Sequence, residues 1–193
     1  MLEPAGPFLD DSAGPIVCDA GGSIDPSPFV DSDGRAFLLW KSEGFPPGGP
    51  TMLWSQELTA DGRAVQGSPR QLLAADRSFE RGIVEAPSLF RDNGQYFLIY
   101  AAANWTSQTY SIAFATCAGP SGPCTKPANN RVLGSGSKLA GPGGAEAFRD
   151  ANGSLMVAFH AFTEPNVGYP SSRYLHIAPL RVGNGNLAID ART

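Results

Sequence analysis

Two carboxylates, Asp25 and Glu85, stand at the openings of two segments with nearly the same wording. One is Ile24-Asp-Pro-Ser-Pro-Phe-Val-Asp-Ser-Asp-Gly34, the other Val84-Glu-Ala-Pro-Ser-Leu-Phe-Arg-Asp-Asn-Gly94. Each opens with a carboxylate, passes through Pro-Ser into a short apolar run, turns at an Asp-rich Gly and leaves on an aromatic run. A carboxyl next to an ionised carboxylate keeps its proton to higher pH. Carboxylates entering the inner strands of successive units would meet at one axis. A third copy, Phe148-Arg-Asp-Ala-Asn-Gly153, keeps the hairpin but has no carboxylate in that place. Glu146 lies two residues before Phe148, out of phase with the other two, which favours a structural role and leaves a channel position open.

The elements that would hold these groups follow from the repeat. The anchors Phe29, Phe90 and Phe148 are 61 and 58 residues apart. A period near sixty with a hairpin in each unit reads as propeller blades. Asp33-Gly34, Asn93-Gly94 and Asn152-Gly153 fall at the same place in each unit and supply the positive φ that a tight hairpin turn needs. Apolar runs bounded by Gly, Asp, Asn and Pro predict strands at Phe37–Trp40, Met52–Gln56, Tyr96–Ala101, Ser111–Ala115, Leu155–Phe159 and Tyr174–Pro179. No helical pattern of useful length is present. The expected fold is all-β, a single partial propeller over residues 1–193. Its units span about 22–75, 84–133 and 143–190, and residues 1–21 form the tail of a preceding unit. Three units do not close a propeller, and open edges expose unpaired backbone groups. Self-association, another chain or a longer parent protein would each cover them.

Composition narrows the function. The 193 residues carry a formal charge of −4 and only 17% charged residues, with Lys and Arg scattered singly. This gives no basic footprint for nucleic acid or an anionic membrane. No run reaches the ~20 apolar residues of a membrane helix. The 23 Gly and 17 Pro lie between apolar runs, as turns rather than disorder. Cys117 and Cys124 bracket a turn-rich hexapeptide that could close a small disulfide loop, which would fit an oxidising compartment, or could stay reduced. Cys18 is left over.

These residues resemble glycoside hydrolase family 43, the five-bladed propeller arabinanases, arabinofuranosidases and β-xylosidases. The resemblance runs from about Gly6 to Leu180. Ile24–Gly34 is similar to that family's second-blade opening and Val84–Phe90 to its third. Leu139-Ala-Gly-Pro-Gly-Gly144 looks like the Gly-Pro-Gly loop before the next inner strand. Ala158-Phe-His160-Ala-Phe resembles the strand that carries the family's central histidine. The sister sucrose and fructan hydrolases are disfavoured, since their Asn-Asp-Pro-Asn and Arg-Asp-Pro openings are not found here.

The resemblance implies inverting hydrolysis of arabinofuranosyl or xylosyl linkages in plant cell-wall polysaccharide by a secreted enzyme. It implies Glu85 as general acid and Asp25 as modulator of its pKa. An inverting enzyme also needs a base set back by roughly 6.5–9.5 Å. The family carries that base in its first blade, which this chain lacks. Asp10, Asp11, Asp19 and Glu3 are the upstream carboxylates, and Asp10 and Asp11 sit in what resembles an outer edge. No cofactor is required. The family's channel allows a calcium ion, which His160 would meet through water; on residue type alone, a satisfied core histidine competes. Phe79 and Trp105 are candidate sugar platforms against a packing alternative. Arg173 could reach an axial carboxylate or lie at the rim. The alternative function is an inactive propeller piece that binds carbohydrate or a protein partner.

Overall fold

The computed structural model describes residues 6–7, 9–44, 46–136 and 138–191; Glu3 lies outside them. The chain folds into three antiparallel sheets that follow one another in sequence. The first is β1 (Ser23–Val30), β2 (Ala36–Ser42), β3 (Met52–Leu58) and β4 (Val65–Ala74), paired in that order. The second is β5 (Val84–Asp92), β6 (Gln95–Ala102), β7 (Ser111–Cys117) and two short strands, β8 (Cys124–Thr125) and β9 (Arg131–Leu133), which both pair with β7. The third is β10 (Leu139–Arg149), β11 (Leu155–Thr163), β12 (Tyr174–Gly183) and β13 (Asn186–Ile189). The helical content among the described residues is one 3-10 turn, Ser78–Glu80. Residues 9–22 carry no strand. Ile16 and Val17 lie against Ile24, Leu38 and Trp40 of the first sheet.

The middle sheet is buried on both faces, and the alternation along β6 shows how. Leu98, Tyr100 and Ala102 face a core shared with Leu39, Leu53 and Leu73 of the first sheet. Phe97 and Ile99 face a core shared with Val157, Phe159 and Leu180 of the third. A strand covered on both sides reads as a continuous apolar run rather than an alternating one, which is why Tyr96–Ala103 is apolar throughout. The outer sheets each leave a face partly open. Leu175 and Ile177 of β12 are 73% and 59% exposed, and Val30 of β1 is 66% exposed.

The three hairpin glycines all adopt positive φ, at +84°, +83° and +80°. The turns are nevertheless of two kinds. Asn93 joins Gly94 in the left-handed region, closing a two-residue loop between Asp92 and Gln95. At Gly34 and Gly153 only the glycine is left-handed, and three residues separate the bonded pairs Asp31/Arg35 and Asp150/Ser154. The extra loop residue decides the turn type.

The first two sheets are also joined by a buried polar network. Glu80, fully buried, accepts from Lys126 Nζ at 2.7 Å, from the Tyr100 hydroxyl at 2.7 Å and from the backbone of Asp76 and Arg77. Asn130 donates to the same hydroxyl at 2.7 Å. Breaking a buried ion pair from one side strands the remaining charge. Lys126→Met is expected to destabilise the protein by about 3–5 kcal/mol in urea unfolding, whereas removing the exposed Arg35–Asp33 pair should change it by less than about 1 kcal/mol.

Candidate active site

The inner strands β1, β5 and β10 share one irregularity. In each, a stretch of three residue steps faces two on the partner strand: Ile24 to Ser27 against Lys41 to Leu39, Glu85 to Ser88 against Ala101 to Ile99, and Gly143 to Glu146 against His160 to Ala158. The extra residue is a β-bulge. Each bulge holds one left-handed residue: Asp25 at φ +56°, Ala86 at +49° and Gly144 at +59°. A non-glycine residue there costs about 1–3 kcal/mol and persists only when its surroundings hold it. Here two bulges hold each other, because the Ala86 backbone N–H donates to Asp25 Oδ2 at 2.9 Å.

This geometry corrects the phase read from the sequence. Asp25 corresponds to Ala86 and Gly144, while Glu85 corresponds to Ile24 and Gly143, one residue earlier. Glu146 corresponds to Ser27 and Ser88, so it is in register with two buried inner-strand serines. The three bulges converge on a cleft of about 300 Å³ lined by Asp25, Ser27, Ala86, Gly144, Glu146 and His160 among others. Glu146 is exposed at the cleft, and its partial desolvation there pushes its carboxyl up, against a hydrogen bond to Ser88.

Glu85 is nearly buried, with its side chain 13% exposed. Oε1 accepts from the Tyr110 hydroxyl at 2.6 Å and Oε2 from Lys41 Nζ at 3.0 Å. Lys41 is all but buried, and its ammonium also reaches Glu43 Oε1 at 2.9 Å. Burial works against that charge, but the hydrogen bonds to Glu43 and Glu85 outweigh it and hold Lys41 above the ordinary lysine range. Burial, then the charge of Glu85, drives the Tyr110 hydroxyl far above the usual tyrosine range, and Asp25 adds to the effect. The phenol therefore stays protonated and donates. Neither Lys41 nor Tyr110 was singled out from sequence. Lys41 did leave a signal, as a lone cation at the end of the apolar run Ala36–Trp40. Tyr110 left none beyond its place before β7.

His160 stacks on Tyr110 with ring centroids 6.4 Å apart. Its imidazole is held below the ordinary histidine range, first by burial and then by the charge of Arg173. The glycines of Gly141-Pro-Gly-Gly144 make this approach feasible. A Cβ on Gly143 would collide with the Tyr110 ring and one on Gly144 with His160 Nε2. Among the described residues Arg173 bonds no carboxylate. Its guanidinium donates to His160 Nδ1 and to the carbonyls of Trp105, Gly141 and His160. Trp105 is half exposed on the loop between β6 and β7. Phe79 packs into the core between the first two sheets, with the Arg131 guanidinium 5.9 Å over its ring.

Of the upstream carboxylates, Asp19 accepts from Ser23 and the Trp40 indole. Asp10 caps Ser12, and Asp11 faces Arg63 at 3.8 Å in a separate depression beside the β3–β4 turn. Cys117 and Cys124 are disulfide-bonded across β7 and β8, and Cys18 is a free, exposed thiol. Among the described residues no three His, Cys, Asp or Glu side chains come together as metal ligands.

Three antiparallel sheets whose inner strands bulge around a cleft lined by Asp25 and Glu146 thus frame the site. The sequence profile described as Glycosyl hydrolases family 43 matches residues 2–187, and the chain belongs to that family. A thermostable family-43 glycoside hydrolase superposes with a TM-score of 0.89 at 25% identity, over 99% of this chain and 64% of its own. An endo-1,4-beta-xylanase from Bacteroides thetaiotaomicron gives 0.84 at 29% identity, over 98% and 65%. A beta-D-galactofuranosidase from Aspergillus niger is 23% identical over 161 residues, 82% of this chain and 44% of the relative. The chain thus spans less than two thirds of the length of these relatives.

Two outcomes test the site as drawn. Tyr110→Phe removes one donor from the Glu85 carboxylate and should lower stability by about 1.5–3 kcal/mol in chemical denaturation. The second concerns His160, whose pKa is depressed by folding. The unfolded chain binds more protons as pH falls through about 6.5, so stability contributed by the neutral imidazole declines there. Thermal melts from neutral to mildly acidic pH should show a shallower decline in His160→Gln than in the unmodified protein.

Proposed function

We propose that this chain is the greater part of an inverting glycosidase acting on arabinofuranosyl or xylosyl linkages of plant cell-wall polysaccharide. In this reading the three sheets are blades of a five-bladed propeller, over residues 22–75, 84–133 and 143–190, with residues 1–21 belonging to a preceding blade. The observation that carries it is the placement of Glu85, nearly buried beside the convergent bulges. Family membership and the likeness to a xylanase at 29% identity support a glycosidic substrate.

Glu85 is the proposed general acid, protonating the departing glycosidic oxygen. To do so it must leave the grip of Lys41, and Glu43, already 2.9 Å from the same ammonium, is where that cation turns. Asp25 is the proposed modulator, its Oδ2 fixed on Ala86 and its charge felt at Tyr110. The attacking water needs a base opposite the acid, which this reading assigns to chain beyond these residues. Trp105 is the proposed platform for a sugar ring. Secretion agrees with the Cys117–Cys124 bond. No cofactor takes part in the chemistry.

Hydrolysis of nitrophenyl α-L-arabinofuranoside, β-D-xylopyranoside and β-D-galactofuranoside tests the proposal. In protein that includes the segment supplying the base, turnover of either pentoside, lowered roughly 10²–10⁴-fold in Glu85→Gln, is the expected result. Turnover of the galactofuranoside alone would overturn the pentose assignment. Absence of turnover in the full chain would favour the second reading, a propeller piece that binds carbohydrate without cleaving it.

A further inference from the structure

Arg173 stands immediately before β12 with its guanidinium between two rings, 5.2 Å from the Tyr110 centroid and 4.5 Å from that of Phe162. All three of its nitrogens are engaged. Nη1 donates to the Trp105 carbonyl at 2.9 Å, Nη2 to the carbonyls of Gly141 and His160, and Nε to the His160 ring at Nδ1. A guanidinium has five N–H donors and no acceptor. The ring atom that meets Nε–H must therefore offer a lone pair. Nδ1 is unprotonated, and in the neutral ring the proton is on Nε2.

Nε2 lies against the Gly144 backbone, where a Cβ would collide with it, and His160 lines the cleft with Asp25 and Glu146. Among the described residues Nε2 has no hydrogen-bond partner, and it is not one of the sealed, unpaired polar atoms. It is a donor left for whatever occupies the cleft.

We propose that Arg173 is a positioning residue that locks His160 as the Nε2–H tautomer, so that the ring offers the cleft a hydrogen-bond donor and cannot ligate a cation there. Its complement is an oxygen lone pair, from a sugar hydroxyl or a bound water. A calcium ion in the channel would meet His160 only through such a water. The sugar as occupant rests on the glycosidase reading; the tautomer does not.

Long-range proton–nitrogen NMR of the full chain with ¹⁵N-labelled histidine tests this without turnover. The chain has two histidines, His160 and His176, and His176→Gln assigns them. At neutral pH, His160 should show Nε2 in the protonated range and Nδ1 in the unprotonated range. In Arg173→Met, confirmed folded by its backbone amide spectrum, the two resonances should move toward each other as the tautomers mix. Should that variant not fold, calcium chloride added to the unmodified chain supplies the second readout: Nε2 should keep its proton throughout. A protonated Nδ1 in the unmodified chain, an unchanged His160 pattern in the folded variant, or loss of the Nε2 proton on calcium addition would each overturn the proposal. Failure of hydrolysis in protein that includes the segment supplying the base, with the Nε2–H pattern intact, would refute the glycosidase reading and leave the lock standing.

Discussion

The hydrogen bond from the Ala86 amide to Asp25 Oδ2 joins two backbone irregularities that neither strand would keep alone. Each of the paired residues sits in the left-handed region, where an L side chain is disfavoured. An aspartate tolerates that region better than most residues, and its carboxylate satisfies an amide that a bulge would otherwise leave without a ladder partner. The contact fixes where β1 and β5 come together. It thereby fixes the mouth of the cleft, the direction in which Glu85 leaves its strand one residue earlier, and the reach of Lys41 across from β2. In the third sheet Gly144 takes the same conformation without strain, and its missing Cβ leaves the room that His160 fills.

The polar side chains behind the cleft then form one continuous series. Lys41 bridges Glu43 and Glu85, Tyr110 donates to Glu85 and stacks on His160, and Arg173 ties His160 to the loop that carries Trp105. Every charge in this series has an opposite charge, a carbonyl or a π-face beside it, as buried ionised groups require. The first two sheets and their adjoining loops supply Lys41, Glu43, Glu85 and Tyr110, and the third supplies His160 and, just before β12, Arg173. The cleft itself is lined by carboxylates from β1 and β10, Asp25 and Glu146, with the His160 ring from β11 beside them.

Much of this was legible in the sequence because the signals were local. Strand positions follow from apolar runs bounded by turn residues, and the hairpins from Asp-Gly and Asn-Gly, both settled within ten residues of chain. Glu85 and Asp25 could be picked out by the wording around them, but their relative phase was misread. The prolines carried the answer: Asp25 directly precedes Pro26, whereas Glu85 stands two before Pro87. Glu146 is out of phase with both, as its spacing from Phe148 indicated, and falls in register with Ser27 and Ser88. Tyr110, and Lys41 beyond being a lone cation after an apolar run, could not be assigned to the site because their meaning is set by contacts across 25 and 44 residues of chain. Phe79 had the composition of a platform, and the burial of its neighbours made it packing. The double pairing of β8 and β9 on β7 had no signature in hydrophobic period at all.

Coverage of the middle sheet on both sides, against one open face on each neighbour, has a dynamic counterpart. Local opening is governed by how much apolar contact must be given up, and β12 with Leu175 and Ile177 facing solvent gives up less than β6 does. The backbone amides of β6 and β7 should be the last to exchange with solvent, and those of β12 and β13 among the first in any sheet. Glu85 and Tyr110 belong to the slow-exchanging layer and Arg173 to the fast one. The His160 ring is therefore held between a rigid wall and a yielding one, and the cleft can widen toward the third sheet while its carboxylate side stays in place.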